Sequence, residues 1–148
     1  MANQTQRPDT ALHNTSHLMQ YHDLIESIVA AMDARDAYTA KHSDRVADMV
    51  LVLATALDLS EDETTLLHMA AHLHDIGKIA VPDSVLRKAG PLTSPEWEEM
   101  RRHPITGYEI LRKVDDFKEI AVLVRHHHER WDGRGYPCLL YTSPSPRD

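Results

Sequence analysis

Apolar residues recur at steps of three and four along most of the chain, a pattern typical of amphipathic helices. The first stripe runs from Ser16 to about Asp36, and the second from about Thr39 to Leu57. The apolar face of the second predicted helix carries His42, Val46, Met49, Val50, Leu53 and Leu57. A histidine therefore shares a face that we expect to be buried.

Capping signals place the helices that follow. Ser60 and Glu63 have the spacing of a capping box, which predicts a third helix from Glu61 to the pair His74-Asp75. Gly77 is a plausible stop for that helix. Two prolines and a glycine between residues 78 and 93 predict a loop with a short helical turn.

The last third of the chain is also predicted to be helical. Ser94 and Pro95 suit the cap and first position of a helix that should break near His103-Pro104. Two further helices are expected, at about 105–113 and from about Asp115 to the pair His127-His128. Strand alternation and internal repeats are missing from the sequence. The pattern therefore predicts an all-α fold, a compact helical bundle.

Length and composition narrow the class of protein. The chain has 148 residues, 42% of them hydrophobic, which suits one domain after a flexible leader at 1–15. Its net charge of −7 argues against binding a nucleic acid polymer. A single cysteine, Cys138, excludes a disulfide within the chain and suits a reducing compartment. Because no apolar run approaches roughly 20 residues, we expect a cytoplasmic protein without a membrane span.

Eleven histidines are the outlier of the composition. One histidine on an apolar face is usually a satisfied core residue, in roughly three cases of four. Five of them, however, lie on or at the end of such faces: His42, His74, His103, His127 and His128. Coordination of a metal would satisfy all five at once, and an adjacent His74-Asp75 pair can share one ion or bridge two.

The remaining histidines are predicted to be solvated. His68 and His72 form an i,i+4 pair one step off the apolar stripe. His13, His17 and His22 lie in or near the leader. His126 stays undecided between the two groups.

Several motifs then occur in a fixed order. They are Arg35-Asp-Ala-Tyr-Thr39, His42-Ser-Asp-Arg-Val46, His74-Asp-Ile-Gly-Lys78, Arg102-His-Pro104 with Gly107, and Gly135-Tyr-Pro137. With this order and spacing, from about Tyr21 to Pro137, the chain resembles the HD-GYP family, a subgroup of the HD metal-dependent phosphohydrolases.

The resemblance implies a helical HD domain that hydrolyses the bacterial second messenger cyclic di-GMP with iron or manganese. The ligands it implies are His42, His74, Asp75, His103, His127 and His128, with Asp75 as the catalytic metal bridge. It further implies that Lys78 contacts a substrate phosphate, against the simpler reading of a helix-terminal cation. Gly135, Tyr136 and Pro137 would form a turn that also contacts a signalling partner.

Two departures from the family pattern bear on these expectations. Some members carry a glutamate one helical turn before the first histidine, where this chain has Tyr38. A phenol with a pKa near 10 is a poor substitute, so we expect two divalent ions rather than three. The family also continues after Gly-Tyr-Pro through roughly two or three helices, one of which supplies an aspartate ligand.

Residues 138–148 read Cys-Leu-Leu-Tyr-Thr-Ser-Pro-Ser-Pro-Arg-Asp in place of that continuation. A disordered Ser/Pro-rich end is one explanation. Their codons can also spell an adapter used in transposase-based sequencing, which predicts a non-native tail and an HD-GYP domain at 16–137 that is incomplete at its end. A genomic clone with the same codons followed by a stop would contradict this prediction.

Three functions fit the sequence. The parent protein is expected to be a cyclic di-GMP phosphodiesterase, and whether the chain as it stands is active is a separate question for an assay. A second expectation is an HD phosphohydrolase on another nucleotide, since a metal centre alone does not select the base. The third is a signalling module that binds partners through the Gly-Tyr-Pro turn without catalysis.

Overall fold

The computed structural model describes residues 18–35 and 42–137. Within these ranges all regular structure is helical, which confirms the predicted all-α class. The helices are α1 His22–Arg35, α2 His42–Ala56, α3 Glu61–Leu73, α4 Asp83–Leu86, α5 Ser94–Met100, α6 His103–Leu111 and α7 Lys118–His126, with 3-10 turns at Met19–Tyr21, Ile76–Ala80 and Asp115–Phe117. The expectations for the leader, Tyr38 and the tail 138–148 lie outside these residues.

Local hydrogen bonds explain where two of the helices begin. At α3 the predicted capping box is confirmed, because the Ser60 N–H donates to the Glu63 carboxylate over 2.9 Å and the Glu63 N–H donates to the Ser60 hydroxyl over 3.3 Å. The predicted cap Ser94 is wrong by one residue. Thr93 is the cap of α5, since the Glu96 carboxylate accepts from the Thr93 N–H over 2.7 Å and from its hydroxyl over 2.9 Å.

The predicted break at His103-Pro104 is confirmed, with one difference in position. Helix α5 ends at Met100, and α6 begins at His103 rather than Ile105. Proline is tolerated in the first turn of a helix because the N–H it lacks has no partner there. His103 is therefore fixed in the first turn of a helix.

The main core lies between α1, α3, α6 and α7. Its buried residues include Ile25, Met69, Leu73, Ile120 and Val124, each 1% exposed or less. Helix α2 packs on α3 through small residues, with Ala47 and Ala54 buried. These contacts bring the end of α3 beside the start of α6 and the end of α7.

The apolar face predicted for α2 is mostly not buried. Met49, Leu53 and Leu57 are 62%, 54% and 69% exposed, because α3 contacts the neighbouring face of small residues instead. Among the described residues, no element covers this stripe. The described helices are also too short or too polar to cross a membrane.

Candidate metal centre

The predicted ligands converge in two groups of three. His42 at the start of α2 lies with His74 and Asp75 at the end of α3, and the donor atoms of these three residues are all within 4.8 Å of one another. His103, His127 and His128 form a second group with the same limit. Six residues from four separate segments of the sequence thus meet at one end of the bundle.

Asp75 joins the two groups. Its Oδ2 atom lies 3.3 Å from His74 Nε2, and its Oδ1 atom lies 3.3 Å from His103 Nε2. His103 Nε2 is in turn 3.3 Å from His127 Nε2. Two ligand atoms that are each about 2.0–2.1 Å from one tetrahedral ion lie roughly 3.3–3.4 Å apart. The donor spacing therefore fits metal coordination, with one carboxylate oxygen facing each group.

Hydrogen bonds behind the ligands fix their orientation. In each of three histidines, Nδ1 bonds to the carbonyl three residues earlier: His74 to Ala71 over 2.6 Å, His103 to Met100 over 2.8 Å and His127 to Val124 over 2.7 Å. Because a carbonyl only accepts, Nδ1 must carry the proton, and Nε2 presents its lone pair. This arrangement is common among metal-ligating histidines.

Burial keeps most of these donors in the form that binds metal. It lowers the pKa of His103, His127 and His128 to about 4, so these imidazoles are neutral at pH 7. Burial alone would raise the pKa of Asp75, but hydrogen bonds and charges from His74 and Lys78 outweigh it and hold that pKa below its usual range. The centre thus combines the neutral imidazoles of His103, His127 and His128 with an ionised carboxylate, a donor set suited to divalent transition metals. At His74 the Asp75 carboxylate outweighs burial and raises the pKa.

Lys78 points toward this carboxylate. Its Nζ lies 2.7 Å from Asp75 Oδ2, and the side chain is 18% exposed. The backbone that carries Lys78 is held by Arg35, whose guanidinium donates to the carbonyls of Lys78 over 3.1 Å, Ile79 over 2.8 Å and Val81 over 2.6 Å. The sequence indicated Arg35 only as part of a motif, because these three carbonyls are backbone atoms and its side-chain acceptor, the Asp83 carboxylate, lies 48 positions further along the chain.

Gly77 has a different role from the predicted helix stop. Helix α3 already ends at Leu73, and Gly77 lies buried in the 3-10 turn against α6. A β-carbon there would be 1.9 Å from the His103 carbonyl oxygen and 2.6 Å from the Gly107 nitrogen. The glycine is needed because two backbones meet, and this contact sets the distance between Asp75 and His103.

The Gly-Tyr-Pro turn packs directly on the centre. The Tyr136 ring stacks on His128 with centroids 4.5 Å apart, and the Tyr136 N–H donates to the His128 carbonyl over 3.1 Å. At Gly135 a β-carbon would lie 2.4 Å from that same carbonyl oxygen. The predicted turn is present, and Tyr136 additionally restrains a candidate ligand, a role that the sequence did not indicate.

The prediction that His22, His68 and His72 are solvated is wrong. His72 is only 5% exposed, the other two are partly buried, and their donor atoms lie within 4.8 Å of one another. The expectation failed because α1 packs across α3 at these positions, which helix periodicity does not reveal. His126 lies 3.6 Å from a Glu129 carboxylate oxygen and belongs to neither ligand group.

A cavity of about 520 Å³ opens beside the centre. His74 and His127 form part of its wall, and the rest is mainly apolar: Val46, Val50, Leu67, Ala70, Ala71, Val122, Leu123 and Val124. The ligands are therefore reachable from a recess large enough for part of a small organic molecule.

A helical bundle that joins two histidine groups through one His-Asp pair defines the class of HD-type metal-binding domains. Residues 22–141 match the family described as HD domain, and the chain belongs to this family. The predicted resemblance is thereby confirmed.

Curated relatives are similar over most of this chain. It is 43% identical over 126 residues to the cyclic di-GMP phosphodiesterase response regulator RpfG of Xanthomonas campestris, covering 84% of the chain and 33% of that protein. It is 42% identical over 129 residues to the 3'3'-cGAMP-specific phosphodiesterase 2 of Vibrio cholerae, with 84% and 24% covered. A cyclic di-GMP phosphodiesterase of Thermotoga maritima is 38% identical over 117 residues, with 78% and 32% covered. The chain thus spans about a quarter to a third of these relatives.

Proposed function

We propose that this HD domain is the catalytic domain of a metal-dependent phosphodiesterase that hydrolyses cyclic di-GMP. The observation that carries the proposal is the position of Asp75, whose two oxygens each lie 3.3 Å from a histidine of a different group. A shared carboxylate between two sets of imidazoles suits a pair of ions a few ångströms apart. The relatives named as cyclic di-GMP phosphodiesterases support the same reaction.

The residues present fit two divalent ions, iron or manganese. His42, His74 and Asp75 would hold one ion, and Asp75 with His103, His127 and His128 would hold the other. When bound, such a pair supplies an activated water for in-line attack on phosphorus and neutralises phosphate charge.

The chain's own side chains then have separate tasks. Lys78 contributes a partly buried ammonium beside Asp75, where it can exchange its ion pair for a substrate phosphate oxygen. This local cation matters because the chain carries a net charge of −7 and would otherwise repel an anionic dinucleotide. Tyr136 keeps His128 oriented through its stacked ring.

A second substrate is favoured by a specific observation. The Vibrio relative named as specific for 3'3'-cGAMP is 42% identical, against 43% for the relative named for cyclic di-GMP. The described residues around the centre offer few polar groups for reading a base, since the cavity wall is mainly apolar. We therefore propose 3'3'-cGAMP as the alternative substrate.

The test uses the full chain, loaded anaerobically with Fe²⁺ or Mn²⁺ and assayed on both dinucleotides. Asp75→Asn should reduce turnover at least about 100-fold, because it removes a charge that both ions share. Asp48→Asn is the matched control, since Asp48 is exposed on α2, and it should leave turnover unchanged. Equal turnover by the two variants would contradict the proposed centre.

Comparing the turnover of the two dinucleotides distinguishes the two substrate proposals. Faster hydrolysis of cyclic di-GMP supports the first proposal, and faster hydrolysis of 3'3'-cGAMP supports the second. If the chain binds two metal ions yet hydrolyses neither dinucleotide, both substrate proposals fail. A signalling module that binds a protein partner through Gly135, Tyr136 and Pro137 would then be the function to pursue.

A further inference from the structure

The candidate metal centre described above is called the HD centre, and its residues are His42, His74, Asp75, His103, His127 and His128. A second histidine cluster lies between α1 and α3. It consists of His22 at the start of α1 and of His68 and His72 on α3, with all three donor atoms within 4.8 Å of one another. His68 and His72 occupy positions i and i+4, which project from the same side of a helix. Two helices therefore direct three imidazoles into one small volume.

The distances within the cluster match shared coordination. His68 Nε2 and His72 Nε2 lie 3.3 Å apart. This is the separation expected of two nitrogens that are each about 2.0–2.1 Å from one tetrahedral ion. The His103 and His127 nitrogens of the HD centre show the same 3.3 Å separation. A direct hydrogen bond could also explain one such pair, but it would leave the third imidazole without a role.

The hydrogen bond behind the His68 ring favours metal binding by the cluster. His68 Nδ1 lies 3.3 Å from the Ala47 carbonyl, which accepts a hydrogen bond from Nδ1–H and so leaves the lone pair of Nε2 facing the cluster. His72 Nδ1 is buried and has no hydrogen-bond partner within the described ranges, and the nearest carboxylate oxygen, on Asp44, is 3.8 Å away. A histidine backed by a carbonyl or a carboxylate is common where Nε2 coordinates a metal.

One carboxylate is placed to complete the cluster. Glu26 follows His22 by one helical turn, and its Oε1 lies 3.6 Å from His22 Nδ1. The His22 side chain is 23% exposed, so an ion can reach the cluster from solvent. Three imidazoles with one carboxylate or water form a four-ligand set typical of zinc.

We propose that His22, His68 and His72 bind a divalent transition metal, with zinc as the best match and Glu26 as the fourth ligand. The site joins α1 to α3, and α1 ends at Arg35, which holds the backbone of Lys78. The ion thus has a structural role, because it ties the start of α1 to the helix that leads into His74 and Asp75. The proposal does not depend on any substrate of the HD centre.

The experiment measures zinc stoichiometry and affinity for the full chain after chelator treatment, by competition with a chromophoric chelator. His22→Gln and His68→Gln should each bind one zinc ion fewer than the wild type, or bind it at least about tenfold more weakly. His103→Gln, which alters only the HD centre, should keep the zinc ion that His22→Gln loses. His126→Gln is the control, because His126 belongs to neither cluster.

Circular dichroism establishes that each variant is folded. His22 is partly exposed on α1, so His22→Gln decides the matter if His68→Gln is unfolded. Zinc binding by His22→Gln with wild-type stoichiometry and affinity would overturn the proposal. Loss of all zinc from His103→Gln while His22→Gln keeps the full amount would also overturn it.

Discussion

Gly77 lies so close to His103 that a β-carbon at position 77 would be 1.9 Å from the His103 carbonyl oxygen. The contact joins the turn that follows Asp75 to the first turn of α6. Since Asp75 Oδ1 and His103 Nε2 are 3.3 Å apart, any separation of these backbones changes the distance between two candidate ligands.

Gly77→Ala should therefore destabilise both the fold and the centre. We expect a loss of about 1–3 kcal/mol in the free energy of unfolding, the usual range for an overpacked core, together with weaker metal binding. Urea unfolding and metal titration measure the two effects. Ala80→Ser, at an exposed position of the same turn, should change neither, and a fully stable Gly77→Ala would contradict the proposed close contact.

The Arg35→Lys variant tests whether the Arg35 guanidinium holds the backbone that carries Lys78 in place. Lysine keeps the charge but cannot donate to three carbonyls with a planar fork. We expect a loss of about 1–3 kcal/mol in the free energy of unfolding and a lower turnover of the metal-loaded chain. Arg112→Lys is a suitable control because Arg112 forms an exposed pair with Glu109. If both variants behave alike, the role assigned to Arg35 is wrong.

Tyr136 should act through the face of its ring. Tyr136→Leu removes the stacking on His128, whose centroid is 4.5 Å away, and should weaken metal binding by about tenfold or more, as the loss of a group that orients a ligand does. Tyr136→Phe keeps the ring and should bind metal like the wild type. Equal losses in the two variants would instead indicate that the hydroxyl is the important group.

The ionisation of Glu96 in α5 should make the free energy of unfolding depend on pH. Hydrogen bonds from Lys88 and Thr93 lower the pKa of Glu96 to about 2, from an ordinary value of 4.5. A lowered carboxyl pKa in the folded state contributes stability above pH 4.5, and this contribution is lost as the pH falls toward 2. Glu96→Gln should therefore be less stable than the wild type at pH 7, with the difference shrinking between these limits. Urea unfolding of both proteins across this pH range tests the prediction. A difference in free energy of unfolding that stays constant with pH would contradict it.

The sequence by itself determined the helical class, and it predicted the candidate ligands that the structure brings together. Helix periodicity and capping depend on residues a few positions apart, so the start of α3 at Glu61 was predictable from Ser60 and Glu63. His74 and Asp75 were recognisable because they are adjacent, and the other ligands because each lies on or at the end of an apolar face. These signals are local in the chain.

Only the tertiary structure decided which helix faces meet. The apolar stripe of α2 stays largely exposed because small residues on another face pack on α3. His22 joins His68 and His72 across two helices, although each of the three was predicted to be solvated. Gly77 is required by a backbone that lies 26 positions further along the chain, at His103. Contacts of this kind depend on the relative positions of whole helices, which periodicity along one helix does not specify.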